Sequence, residues 1–135
     1  MIPAVGDVVA ERTVHLTRES LVRYAGASGD FNPIHYRDDV AERVGLPGVL
    51  AHGMLTMGVA VSALDPWLGS SGTVTEYGVR FTRPVVVDAE AGADLTVVAK
   101  AAEADIAAGT ARIDLTVTCN GTTVLAKAQV RVRFA

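Results

Sequence analysis

An acidic and a basic side chain stand five positions apart in the stretch "SGDFNPIHY", residues 28–36. Asp30 and His35 are residue types that move protons near neutral pH when their surroundings tune them. Asn32-Pro33 lies between them, and a residue that precedes a proline avoids the helical region. The segment is therefore predicted to be a loop in which both side chains can face one pocket. A turn-forming aspartate and a packed histidine would give the same letters, so the spacing alone leaves both interpretations open.

A donor for a carbonyl oxygen is predicted at "AHGM", residues 51–54, which opens an apolar helix. The first N–H groups of a helix have no intrahelical acceptor and carry partial positive charge. Gly53 has no side chain that would keep a ligand away from its own N–H. A donor aimed at developing negative charge can contribute roughly 3 kcal/mol to transition-state stabilisation. Next to Asp30 and His35, it indicates proton transfer beside a carbonyl group.

Three helices are predicted to position these groups. Thr17 is a candidate N-cap for "RESLVRYAGAS", which fades at Gly26 and Gly29. The segment "DDVAERVG" resumes as a helix and stops at its final glycine. The segment "HGMLTMGVAVSALDPWLG" is apolar nearly all round, so we expect it to be buried on most sides and to end or bend at Asp65-Pro66.

After Gly72 the hydrophobic period changes from about 3.6 residues to the two-residue alternation of strands. The last two alternating segments are joined by Asn120-Gly121, a strong hairpin signal. The inward-facing residues are predicted to be Thr75, Tyr77, Val79, Phe81, Leu95, Val97, Ala99, Ala111, Ile113, Leu115, Val117, Val124, Ala126, Ala128, Val130, Val132 and Phe134. An apolar sheet face needs a cover, and the 53–65 helix is the only long apolar candidate. The predicted fold class is α+β, a single domain over residues 1–135 in which an antiparallel sheet wraps around a buried central helix, the hot-dog fold.

Composition narrows the class of protein. Half of the 135 residues are apolar, and the formal net charge is −3. This balance argues against a nucleic-acid surface, which needs clustered basic residues, and it indicates apolar surface hidden in an oligomer. No signal segment or membrane span is predicted, so we expect a cytoplasmic protein without membrane contact. Cys119 is the only cysteine, so no internal disulfide can form, and the three histidines lack the spacing of a metal site.

Two motifs at a fixed separation carry a family resemblance. The stretch "YAGASGDFNPIHY" is followed, seventeen residues after His35, by "HGMLTMG". This combination resembles the MaoC-type (R)-specific enoyl hydratases and dehydratases. Within that family it is most similar to the catalytic B-type subunits of the mycobacterial type II fatty-acid-synthase (3R)-hydroxyacyl-ACP dehydratase. The resemblance covers nearly the whole chain, including "VTEYGVRFTRPV".

The resemblance implies a hot-dog dimer that acts on acyl thioesters, with the acyl–pantetheine arm entering a tunnel near the subunit interface. By position it implies that Asp30 and His35 form the catalytic pair and that Gly53 supplies the backbone oxyanion donor. It also implies that Asn32 fixes the loop. One departure is that some hydratases carry a serine nine residues after the histidine of "HGM", where this sequence has Val61.

The function implied is a hydro-lyase of fatty-acid metabolism, a (3R)-hydroxyacyl-thioester dehydratase or, in reverse, an (R)-specific enoyl-thioester hydratase. We expect no cofactor, because the substrate arrives on the phosphopantetheine of ACP or on CoA. Both carriers stay open, as does the choice between a homodimer and a heterodimer with a related hot-dog subunit. Two alternatives are a hot-dog acyl thioesterase and the non-catalytic subunit of a heterodimeric dehydratase.

Further residues are candidates for substrate contact, each against a packing or solvent-facing alternative. Met54 suits an acyl tunnel, because methionine adapts to varied chains. Arg80 suits a phosphopantetheine phosphate or an acidic carrier, and it suits a solvated strand face equally well. The predicted substrate-binding residues are Asn32, His52, Met54, Tyr77, Val79, Arg80 and Phe81.

Overall fold

The computed structural model describes all 135 residues. Five strands form one sheet in the order β1-β3-β4-β5-β2, and every neighbouring pair is antiparallel. The strands are β1 (Val8–Leu16), β2 (Gly72–Phe81), β3 (Ala93–Asp105), β4 (Thr110–Cys119) and β5 (Thr122–Phe134). This arrangement confirms the predicted antiparallel α+β class. It leaves β1 and β2 as the two edges of the sheet.

All of the helices lie in the connection between β1 and β2. They are α1 (Arg18–Ser28), α2 (Asp38–Arg43), α3 (Gly53–Ser62) and α4 (Asp65–Leu68), with a 3-10 turn at Pro33–His35. The loop that holds the predicted acid and base therefore belongs to the same connection as the helix that covers the sheet. No helix has the length and hydropathy needed to cross a membrane.

Local signals explain where α1 begins and ends. The Thr17 hydroxyl accepts a hydrogen bond from the Ser20 N–H (3.2 Å), and the Ser20 hydroxyl accepts one from the Thr17 N–H (3.0 Å). This reciprocal pair satisfies two N–H groups that the helix cannot satisfy itself. The helix runs past the glycine at 26, where a fade was predicted, and ends at Gly29, whose φ of 77° is left-handed. That turn directs the chain into the acid/base loop.

The alternation predicted for the strands is observed in β3 and β4, whereas Thr75 of β2, predicted to face inward, is exposed at an irregularity in the pairing with β5. β3 and β4 bury every second residue, and their apolar side chains form most of one continuous core with β5 and the buried side of α3. The β4–β5 hairpin turns at Asn120 and Gly121, both with positive φ (51° and 73°), as the sequence predicts. Two bulges interrupt β5. One lies in the β2–β5 pairing, where Lys127 has a φ of 47°. The other lies in the β4–β5 pairing at Val124 and Leu125, which are both buried in the core.

Three details differ from the sequence-based expectation. The central helix stops at Ser62, and Asp65 begins the separate short helix α4. The expectation that α3 is buried on most sides is wrong for the single chain, because its sheet covers only one face. Thr56 and Ala60 are buried, whereas the side chain of Met54 is 60% exposed. Phe81, predicted to point inward, is 55% exposed: it is the last residue of β2, and its ring lies over Gly53 at the start of α3.

Candidate active site

The loop after α1 is built by short side-chain-to-backbone hydrogen bonds. The Asn32 side-chain oxygen accepts the Ile34 N–H (3.2 Å) and so caps the 3-10 turn that carries His35. Asp30 Oδ1 accepts the Asn32 N–H (3.1 Å), and the Ser28 hydroxyl accepts the Asp30 N–H (3.2 Å). Asp30 is therefore held by its backbone and by one carboxylate oxygen. The other oxygen, Oδ2, faces His35, and the side chain is 52% exposed.

The His35 imidazole is fixed in one tautomer by a backbone carbonyl. Its Nδ1 lies 2.6 Å from the Leu50 carbonyl oxygen. A carbonyl can only accept, so Nδ1 carries the proton and Nε2 of the neutral ring presents a lone pair. Leu50 is itself held in place because residues 49–51 pair with residues 85–87. In this pairing the Ala51 N–H donates to the Val85 carbonyl and the Val87 N–H donates to the Val49 carbonyl, both at 2.9 Å.

The free atoms of the acid and the base face each other across a gap. His35 Nε2 lies 3.9 Å from Asp30 Oδ2. This separation is too long for a direct hydrogen bond, which needs about 3.2 Å or less. It is shorter than two hydrogen bonds of about 2.8 Å placed end to end. One hydroxyl oxygen can therefore contact both groups at once, with the carboxylate half-exposed and the imidazole 8% exposed.

A second imidazole lies behind this pair. The His52 ring stacks on the His35 ring with 3.8 Å between centroids and 21° between planes. The Tyr24 ring meets His52 in an edge-type arrangement with 4.8 Å between ring centroids, and His52 Nε2 lies 3.2 Å from the Asp30 carbonyl oxygen. The ring is 2% exposed, and burial lowers the pKa of His52 from its ordinary value. His52 is therefore a neutral, buried neighbour of both groups.

Gly53 begins α3 directly beside the pair. As the first helical residue its N–H has no intrahelical acceptor. The ring of Phe81 lies over it so closely that a Cβ at position 53 would be 3.0 Å from the nearest ring carbon. Gly53 and Phe81 line both a cavity of about 380 Å³ that contains His35 and one of about 390 Å³ that contains Asp30. The two residues thus form the boundary between the acid and the base sides of the site.

The structure brings some predicted site residues together and leaves others apart. The residues that line the two cavities beside the pair include Asp30, His35, His52, Gly53, Met54 and Phe81. Asn32 does not line either cavity and instead supports the loop through its hydrogen bond to the Ile34 N–H. Three residues of β2 lie elsewhere: the Tyr77 hydroxyl donates to the Met57 carbonyl (2.7 Å), and Val79 and Arg80 line a different hollow. Burial raises the pKa of Tyr77 to about 12.

Comparison with known proteins places the chain. A family model described as the MaoC like domain matches residues 3–118. The chain belongs to the MaoC-like family. The 3-hydroxyacyl-thioester dehydratase X of Mycobacterium tuberculosis is 35% identical over 79 residues, which cover 58% of this chain and 27% of that protein.

Solved structures match this MaoC-like chain over almost its full length. One described as a MaoC-like dehydratase has a TM-score of 0.91 and 38% identity, and the match covers 98% of this chain and 41% of that chain. The MaoC-like chain thus spans less than half the length of either this protein or dehydratase X. A chain of the ChsH1-ChsH2 complex of Mycobacterium tuberculosis matches over 98% of both chains with a TM-score of 0.85, and its 19% identity shows the shared fold alone. The predicted MaoC-like family and its hot-dog fold are confirmed.

The serine that some hydratases carry on this helix has no substitute in this MaoC-like chain. Val61 occupies the position, and it is half-buried. The hydroxyl of the next residue, Ser62, donates to the Val59 carbonyl (2.7 Å), which is a local bond within α3. Asp30 therefore takes its orientation from the loop, through Ser28 and Asn32.

Sequence reasoning missed three contributors to this site. The Leu50 carbonyl fixes the His35 tautomer, Tyr24 packs against His52, and Thr56 lines the cavity on the His35 side. A backbone carbonyl has no sequence signature, and the other two lie on predicted helices whose rotation about their axes was unknown. For Thr56 there was one usable signal, its spacing. It follows Gly53 by three residues on α3, and residues three apart on a helix lie on the same face.

The acid and the two imidazoles also form a group that can be weighed as a metal site. One ligand atom from each of Asp30, His35 and His52 lies within 4.8 Å of the others. A metal-bound imidazole points an in-plane lone pair at the ion about 2.1 Å away. The two rings are stacked only 21° from parallel, so their lone pairs run side by side. In addition, His52 Nε2 is used by the Asp30 carbonyl. The arrangement therefore fits ring stacking better than ligation of one ion.

Proposed function

We propose that this chain is a hydro-lyase, a (3R)-hydroxyacyl-thioester dehydratase that in reverse acts as an (R)-specific enoyl-thioester hydratase. The observation that carries the proposal is the geometry of Asp30 Oδ2 and His35 Nε2, 3.9 Å apart beside the free N–H of Gly53. Membership of the MaoC-like family and the similarity to dehydratase X support it.

Dehydration follows from the position of the free atoms. The thioester oxygen accepts a hydrogen bond from the Gly53 N–H, so that the α-proton becomes more acidic. His35 Nε2 takes this proton, because Nδ1 is committed to the Leu50 carbonyl. The C–H electron pair first enters the enolate and then forms the α,β double bond as the C–O bond to the 3-hydroxyl breaks. The hydroxyl leaves as water after receiving one proton from the Asp30/His35 pair.

The pair returns to its starting protonation state in each cycle. His35 gains one proton from the α-carbon, and the pair gives one proton to the leaving hydroxyl. Both transfers can occur at the pair because the substrate oxygen can bridge the 3.9 Å between the two groups. Hydration is the same path in reverse, with the pair deprotonating a water and returning a proton to the α-carbon. The two proton transfers are therefore assigned to the pair as a unit rather than to one residue.

The substrate is proposed to arrive as an acyl chain on the phosphopantetheine of ACP or on CoA, and no further cofactor is needed. The exposed apolar side of α3, with Met54, and the neighbouring edge strand β2 suit a second hot-dog subunit, either identical or related. The ChsH1-ChsH2 complex, whose chain shares this fold, supports a two-subunit assembly. Retention of Asp30, His35 and Gly53 favours the catalytic role within it.

The test is the hydration of crotonyl-CoA, followed as loss of enoyl absorbance, with the purified chain. Asp30→Asn and His35→Gln should each lower kcat by roughly 10²–10⁴-fold, the usual contribution of a general acid or base. A matched control exists on the surface, where His15 and Asp94 form another acid–imidazole pair at 2.7 Å. His15→Gln and Asp94→Asn should leave kcat unchanged.

Three outcomes would reject the proposal or its assignment. Near-normal turnover by either Asp30→Asn or His35→Gln rejects the catalytic pair. Release of free thiol from the acyl-CoA, without formation of the hydrated product, indicates a thioesterase. Activity that appears only with a related subunit, and that survives both substitutions, indicates the non-catalytic half of a heterodimer.

A further inference from the structure

His52 is an unusual residue to bury at this place. Its ring is 2% exposed, yet only one of its two nitrogens has a partner. Nε2 lies 3.2 Å from the Asp30 carbonyl oxygen, and Nδ1 is buried without any hydrogen bond. Since the carbonyl can only accept, Nε2 carries the proton and Nδ1 is left as an unsatisfied acceptor. Burying such a nitrogen costs folding free energy, so the side chain calls for a reason beyond filling space.

His52 contacts both members of the proposed catalytic pair. Its N–H holds the backbone of Asp30, and its face stacks on the ring of His35 at 3.8 Å. Building on the proposed function, we propose that His52 is a positioning residue that fixes the Asp30 carboxylate and the His35 imidazole relative to each other. It performs this role as a buried residue, 2% exposed, in the wall of the cavity that contains Asp30.

Neighbouring contacts leave His52 little freedom to move. The Tyr24 ring packs against His52 in an edge-type arrangement, with ring centroids 4.8 Å apart and planes 63° apart. His52 is also the residue that precedes α3, so its backbone carbonyl accepts the Thr56 N–H (3.1 Å) and is tied to the first turn of that helix. The residue therefore connects α1, the acid/base loop and the start of the helix that presents the Gly53 N–H.

The chemistry of imidazole suits the two tasks together. A flat ring face is needed against His35, and an N–H in the ring plane is needed toward the Asp30 carbonyl. Phenylalanine provides the face without the donor, and glutamine provides a donor without the face. Burial lowers the pKa of His52, so the ring stays neutral and does not oppose the positive charge that His35 gains when it takes a proton. The unpaired Nδ1 is the cost of having both properties in one side chain.

Two substitutions separate the two tasks. His52→Phe keeps the stacking and removes the donor, whereas His52→Gln keeps a donor near the position of Nε2 and removes the ring. Each should lower kcat for crotonyl-CoA hydration by roughly 10- to 100-fold, because a misplacement of about 1 Å can cost 10²-fold. KM should change less than about threefold, because His52 is only 2% exposed and mainly affects the reacting geometry. His52→Leu, which has neither property, should lose more activity than both.

A stability-matched control separates positioning from general packing. Val132→Ala removes two methyl groups from the buried side of β5, seven residues along the strand from Leu125, which lines the His35 cavity. It should lower the midpoint of thermal unfolding and leave kcat within about twofold of the original chain, since distant sites act independently. If His52→Phe and His52→Gln both keep kcat within that same range, His52 is a packing residue and the proposal is rejected.

A measurement on the unsubstituted protein covers the case in which the variants fail to fold. In a ¹⁵N-histidine-labelled sample at neutral pH, the three histidines can be assigned with His15→Gln and His35→Gln. The expected pattern is a neutral His52 ring with its proton on Nε2, and a His35 ring whose Nδ1 carries a proton. A His52 ring that is charged, or that is protonated on Nδ1, would overturn the proposal.

Failure of this proposal can be told apart from failure of the proposed function. If Asp30→Asn abolishes hydration and the His52 variants do not affect it, the hydro-lyase stands and the positioning role falls. If the unsubstituted chain, alone and with a related subunit, hydrates no enoyl thioester, the proposed function falls. The tautomer of His52 then still decides whether its N–H holds the acid/base loop.

Discussion

Substituting Gly53 by alanine tests the backbone donor, which side-chain substitution cannot remove. A Cβ at this position would lie 3.0, 3.2 and 3.4 Å from three carbons of the Phe81 ring. Ordinary contacts between carbon atoms are about 3.5–4.0 Å, so the ring must move by roughly half an ångström to one ångström. Phe81 is more than half exposed at the end of an edge strand and has room to swing outward. We therefore expect Gly53→Ala to fold.

The expected loss is in catalysis. The new methyl group and the displaced ring both lie where the thioester oxygen must reach the Gly53 N–H, between the two cavities that this residue lines. Loss of one oxyanion donor typically costs about 10²–10³-fold in kcat, or about 3–4 kcal/mol. Crotonyl-CoA hydration by Gly53→Ala should fall by that factor. Thermal unfolding should shift by only a few degrees, because the ring movement and the helix preference of alanine act in opposite directions.

Gly26→Ala is the matched control. Gly26 lies inside α1, its added Cβ would meet no atom within 4 Å, and its φ is not left-handed. Alanine should stabilise the helix by about 0.5–1 kcal/mol and leave turnover unchanged. If Gly53→Ala keeps kcat within about threefold of the original chain while its unfolding midpoint shows a normal fold, the Gly53 amide is not the oxyanion donor. The mechanism proposed above would then need another electrophile.

Two further expectations concern buried titrating groups. Because burial lowers the pKa of His52, the unfolded chain binds a proton more readily than the folded one, and the free energy of unfolding should fall as pH drops below about 6.5. Urea denaturation at several pH values should show a smaller fall for His52→Phe, and an equal fall in both would contradict the buried neutral imidazole. Burial also raises the pKa of the Cys119 thiol, so iodoacetamide should label it slowly in the native chain and rapidly in urea. Fast native labelling would show that Cys119 is accessible.

Much of the fold follows from patterns that are local in sequence. The two-residue alternation along β3 and β4, and the Asn120-Gly121 turn, predict an antiparallel hairpin because a strand with one buried face allows only one register. The Thr17 cap predicts the start of α1 for a similarly local reason. The burial of α3 could not be predicted from its composition. An apolar helix must be covered, but its own sequence does not say whether the same chain or another one covers it.

The candidate site was partly predictable because several of its residues are also close to one another in sequence. Asp30 and His35 share one short loop, so their proximity follows from the chain, and the "HGM" motif predicts the nearby helix start. Two features were out of reach. The Leu50 carbonyl that fixes the His35 tautomer is a backbone atom, and the stacking of His52 depends on ring orientations set by tertiary packing. The alternation places Phe81 on the inward side, but it could not show that the ring lies over Gly53 and stays half-exposed, since that contact joins two elements distant in sequence.

The turn between β3 and β4 lies at the end of the sheet remote from the chemistry. Thr110, which follows this turn, pairs with Arg133, whereas Leu125 of the same strand β5 lines the His35 cavity. Eight residues of strand separate the two positions, about 27 Å. The turn itself is exposed and closed by two local hydrogen bonds, in which the Ala108 N–H donates to Asp105 Oδ1 and the Gly109 N–H donates to the Ile106 carbonyl. A fluorophore or an immobilising tether inserted at residues 107–108 would therefore point away from the reacting groups, and turnover could be followed on a surface-bound molecule.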